Sequence, residues 1–69
     1  MGKEQQALEY LQAAVRSDPY DAEFHYHLAV LYRRMGNKDE ATKEMETFKQ
    51  LRKIGDELKQ ALHPAASPN

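Results

Sequence analysis

The sequence contains no cysteine among its 69 residues. That excludes a disulfide framework, a thiolate metal site and a cysteine nucleophile. Tryptophan is also absent, and there are only three glycines and three prolines, so each turn signal is informative. An excess of charge of one sign is lacking too: 10 Lys+Arg stand against 11 Asp+Glu, a net charge of −1 with neutral histidine. This balance argues against an electrostatic grip on nucleic acid or on an acidic membrane surface. No apolar run approaches the roughly 20 residues of a membrane span. The opening Met1-Gly2-Lys3-Glu4 lacks the apolar stretch of a secretory signal, so a chain complete as it stands is expected in the cytoplasm. No segment alternates apolar and polar residues over six positions, so no strand is expected.

What is present suits a small helical domain. The chain is 41% hydrophobic and 30% charged. A domain of this length buries only about 60% of its unfolded surface and is marginal alone. Between Pro19, Gly36 and Pro64 the strong helix formers dominate. The expected class is therefore all-α, with three helices packed as antiparallel hairpins. The first runs from about Lys3 to Arg16, with Ala7, Leu8, Leu11, Ala14 and Val15 on one stripe. Pro19 ends it. The second starts near Asp21, a good N-cap. Its stripe is Phe24, Leu28, Leu31, Tyr32 and Met35, and Gly36 stops it. Asn37 can cap the third helix, with Glu40 as the reciprocal partner of a capping box. Ala41, Met45, Phe48, Leu51 or Arg52, Gly55, Leu58 and Leu62 then repeat at three- and four-residue steps as far as His63. Gly55 costs about 1 kcal/mol relative to Ala inside a helix. It marks either a break into a short fourth helix or a close approach of another backbone; one long helix is the expectation. The stretch 64–69, small and Pro-containing, is expected to be disordered.

A shift of the sequence against itself by 34 residues places Ala7 on Ala41 and Leu11 on Met45. The second and third helices lay out His25-x-x-Leu28-Ala29-x-x-Tyr32, then Gly36-Asn37, then Ala41-x-x-x-Met45. This resembles the tetratricopeptide repeat, a helix-turn-helix unit with Leu, a small residue, Tyr, Ala and a large apolar residue at these places. Ala29 and Ala41 are expected to be small because two helices approach there, with Leu28, Tyr32 and Met45 filling the gap between them. Three positions depart from the pattern. His25 replaces a large apolar residue, usually Trp, with Phe24 beside it to compensate. Phe48 stands where a small residue is typical, and Lys53 where Pro would end the repeat. The domain is then 3–63: the second helix of a partial repeat over 3–18, a full repeat over 21–53, and a capping extension over 54–63. That is one and a half repeats, whereas about three are needed for stability. The first helix lacks a partner on its other side. A homodimer, domain-swapped or paired through the first or last helix, would supply one.

The resemblance implies a non-enzymatic protein-interaction module, an adaptor or scaffold piece. In that family the first helix of each hairpin lines a groove. On this chain the groove face would be Glu23, Tyr26, His27, Val30, Arg33 and Arg34, all on one side of a helix opposite Leu28, Leu31 and Met35. Such a face suits an extended or helical peptide with a carboxylate against Arg33 or Arg34. His27 and Val30 stand where chaperone-tail clamps of this family use Asn and Lys, so that clamp is not expected. The competing reading is a self-assembling element without a foreign ligand.

Other chemistry lacks a constellation. His25 and His27, two apart, point to different sides of a helix, and Glu23 with His27 gives too few ligands for a metal. Ser17, Thr42, Thr47 and Ser67 have no base beside them. There is no phosphate loop and no cofactor signature. The short turn between the second and third helices suggests a nucleic-acid helix-turn-helix, but Asp39, Glu40 and the charge balance oppose it. Tyr10, Tyr20, Tyr26 and Tyr32 are expected to pack. The alternating charges of the third helix are expected to form i,i+3 and i,i+4 pairs such as Asp39 with Lys43.

Overall fold

The computed structural model describes residues 2–62. They form three helices, α1 (Gly2–Ser17), α2 (Ala22–Arg34) and α3 (Lys38–Leu62), with no strand among the described residues. The all-α expectation holds. His63 and the stretch 64–69 lie outside the described residues.

The α1–α2 connection is set by Pro19. Asp18 N–H donates to the Ala14 carbonyl at 2.9 Å, and Asp21 N–H donates to the Asp18 carbonyl at 3.2 Å, closing a turn with proline at its second position. Asp21 then caps α2. Its backbone is extended (φ −82°, ψ 107°), and its Oδ1 accepts from Glu23 N–H at 3.0 Å.

The α2–α3 connection depends on Gly36, whose φ of 87° suits a residue without a Cβ. Gly36 N–H donates to the Arg33 carbonyl at 3.1 Å, and Asn37 N–H to the Tyr32 carbonyl at 2.8 Å. This is a Schellman ending. It also corrects the expected capping box. Glu40 would have to accept from Asn37 N–H, but that donor is already spent on Tyr32. Among the described residues neither Asn37 nor Glu40 makes a side-chain hydrogen bond.

The core lies between α1 and α2. Leu8, Leu28 and Leu31 are buried, with Leu11, Val15, Tyr32 and Met35 packed around them. Ala29 and Ala41 are buried where α2 meets α3, as their size predicted. Leu28 and Tyr32, however, do not fill that gap. They belong to the α1-facing stripe, and the Tyr32 hydroxyl accepts from Gln12 Nε2 on α1 at 3.1 Å. The edge of α2 that meets α3 is one residue on, at His25 and Ala29.

α3 runs unbroken through Gly55. A Cβ at Gly55 would meet no atom within 4 Å, so among the described residues no other backbone approaches it. The expected charge ladder is not formed: among the described residues, α3's alternating charges make no ion pair with one another within 4.0 Å. Exposed pairs gain too little to hold two long side chains in place. With 25 residues against the 13 of α2, α3 is about 37 Å long against about 20 Å. Its last turns project past α2, leaving Ile54, Leu58 and Leu62 exposed.

Candidate interaction face

All six groove candidates, Glu23, Tyr26, His27, Val30, Arg33 and Arg34, lie on α2 and are exposed. The helical period places them opposite the buried Leu28 and Leu31. They form a ridge between clefts rather than one pocket. Glu23, Tyr26 and His27 share a cleft of about 560 Å³ with Phe48 and Arg52 of α3. His27, Val30 and Arg34 border a second cleft against Ala7 and Tyr10 of α1. Val30 and Arg33 flank a third, about 390 Å³, over Ala29, Ala41 and Met45.

The first cleft has an aromatic wall. The Tyr26 and Phe48 rings lie 5.1 Å apart at 46°, and His27 meets Tyr26 edge-on at 5.8 Å. The Arg52 guanidinium sits 5.6 Å from the centre of the Phe48 ring, within cation–π range. The two candidate arginines differ. Arg34 Nε lies 4.0 Å from Glu4 Oε2 of α1, both side chains being largely exposed; such a pair is worth little. Arg33 makes no ion pair among the described residues.

Phe48, Arg52 and Tyr10 were not among the expected site residues. The i,i+4 spacing of Phe48 and Arg52 shows that they share a helix face, but nothing in the spacing shows that this face borders α2. The expectation that the tyrosines pack is corrected for Tyr10 and Tyr20; Tyr26, though partly exposed, lies against Phe48. Tyr10 is 69% exposed, Tyr20 80% and Tyr26 41%. Among the described residues no helix covers the outer side of α1, and Tyr20 sits in the turn. Tyr32 alone of the four packs against the core.

His25 occupies the place where the repeat pattern has a large apolar side chain. It is buried, 7% exposed, while Phe24 is half-buried. His25 Nδ1 lies 2.7 Å from Glu44 Oε1, and Nε2 lies 2.8 Å from the Pro19 carbonyl oxygen. A carboxylate and a carbonyl only accept, so the arrangement suits a doubly protonated ring, with both nitrogens donating. Burial is the largest single influence and disfavours the charge. The hydrogen bonds to Glu44 and Pro19, with the negative charges of Glu44 and Asp21, outweigh it and raise the pKa above the ordinary 6.5. Among the described residues no three His, Asp or Glu side chains come together in a metal-holding group.

A sequence profile described as tetratricopeptide repeat matches residues 1–52, well over half of the chain. The chain belongs to the tetratricopeptide repeat family. No curated protein and no solved structure matches it. Tetratricopeptide repeats generally mediate protein–protein interaction. In this tetratricopeptide chain the matched segment spans α1, α2 and the first part of α3. The match stops at Arg52, where α3 passes the start of α2 and begins to project. No helix among the described residues is long and apolar enough to cross a membrane.

Proposed function

We propose that the chain is a non-catalytic tetratricopeptide interaction module that holds an extended or helical peptide along α2, with a ligand carboxylate against Arg33. In this reading residues 3–18 are the second helix of a partial repeat, 21–53 a full repeat and 54–63 a capping extension. The supporting observation is the exposed ridge itself. Tyr26 and Val30 give apolar contact at its centre, clefts flank it on both sides, and Arg33 is a cation with no protein partner among the described residues. A charge-assisted hydrogen bond contributes about 1.5–3 kcal/mol, so losing one weakens binding roughly 10- to 100-fold. The test is fluorescence anisotropy with labelled acidic peptides. Arg33→Glu is expected to weaken binding by that factor with unchanged circular dichroism. Equal binding by both proteins overturns the assignment. Arg34→Glu is expected to act less, because the ligand carboxylate of this proposal sits against Arg33.

A second reading is a homodimer, domain-swapped or paired through exposed helix faces, without a foreign ligand. Ile54, Leu58 and Leu62 on the projecting part of α3 favour it.

A further inference from the structure

His25 is a buried histidine that the interaction face does not use. It joins two parts of the chain: Glu44, from the middle of α3, and the Pro19 carbonyl, from the turn ahead of α2. We propose that His25 is a proton-operated latch: doubly protonated, it fastens α3 to the α1–α2 turn, and loss of one ring proton as the pH rises releases the turn while α2 and α3 stay paired.

The two bonds are unequal, and this decides which one opens. The Nδ1 proton is held by a carboxylate in a charge-assisted bond, whereas the Nε2 proton is held by a neutral carbonyl. The Nε2 proton therefore leaves first. Its lone pair then faces the Pro19 oxygen at 2.8 Å, and two acceptors that close repel. The charged groups that reach the ring are Glu44 from α3 and Asp21 from the N-cap of α2. The turn offers only the Pro19 carbonyl, and α1 contributes no charge among the described residues. Every group facing the ring thus favours its charged form.

The direction follows from linkage. The folded pKa lies above the ordinary 6.5, so the latch contributes fully below that value and is lost as the pH climbs through the raised one. Mild acid closes the latch and alkali opens it. α1 is the part affected. It packs on α2 with little contact to α3, and the released turn is its covalent joint. This inference is independent of the peptide reading, because none of its atoms lies on the interaction face.

The test has two arms. Nitrogen-15 NMR of the unmodified chain follows the His25 ring. Titration above pH 6.5 is expected, with Nε2 losing its proton and the amides of Asp18, Tyr20 and Asp21 exchanging faster above the midpoint than those of α2 and α3. A ring that titrates below 6.5, or loses the Nδ1 proton first, overturns the latch. The other arm measures melting temperature across the same pH range. The wild type and His27→Gln are expected to lose melting temperature in that window, and Glu44→Gln is expected to move the fall to lower pH. His25→Gln is expected to give a flat profile; the full wild-type fall in that variant also overturns the latch. Should His25→Gln fail to fold, the ring titration decides.

Discussion

Leu28 shows how little apolar material holds the chain together. It is 2% exposed and sits among Leu8 and Leu31. Cutting a buried leucine to alanine costs about 2–5 kcal/mol, against a total stability that begins at about 5 kcal/mol for small domains. Leu28→Ala is therefore expected to abolish the cooperative thermal transition or lower its midpoint sharply. Val30→Ala, on the exposed side of the same helix, is expected to leave the midpoint within a few degrees; calorimetry of both checks this. The alanines at 29 and 41 were legible in the sequence, because a small residue inside an amphipathic hairpin signals helix contact. The His25–Glu44 bond was not. Its partners lie 19 residues apart, on helices that each read locally as complete. A histidine at an apolar site also gives no sign of where its nitrogens will find acceptors.

At the scale of the element, two glycines make opposite predictions for the same substitution. Gly36 has positive φ and ends α2, so an added Cβ strains the turn although no atom stands in its way. Gly36→Ala is expected to destabilise by about 1 kcal/mol. Gly55 lies inside α3 with open space around it, so Gly55→Ala is expected to stabilise by about 0.4–1 kcal/mol. Denaturant midpoints of the two variants should move in opposite directions from the wild type. A loss of stability in both would mean that another chain lies against Gly55. The three helices were legible because Pro19, Asp21 and Gly36 each act locally. The capping box does not form because Asn37 N–H is taken by the Tyr32 carbonyl, which belongs to the helix before and is not legible from Asn37 and Glu40 alone.

Over the whole molecule, the long axis spans 54 Å against 22 and 14 Å across, and the exposed apolar side chains follow that shape. Tyr10 lies on the open side of α1, and Ile54, Leu58 and Leu62 lie on the projecting end of α3. The self-association reading expects light scattering to give twice the 8.0 kDa of one chain, and Leu58→Asp to return it to one. A mass of 8.0 kDa for the wild type at all concentrations removes that reading. The interaction face was legible as a face, since the helical period alone places Glu23, Tyr26, His27, Val30, Arg33 and Arg34 together. Its walls were not, because Tyr10, Phe48 and Arg52 join it only once α1 and α3 are placed in space. The overhang of α3 has one more consequence. The family match ends at Arg52 and the helix continues to Leu62, a further ten residues or about 15 Å. α3 thus carries Leu62 that distance beyond the matched segment, along an axis set by the seam where Ala29 and Ala41 are buried.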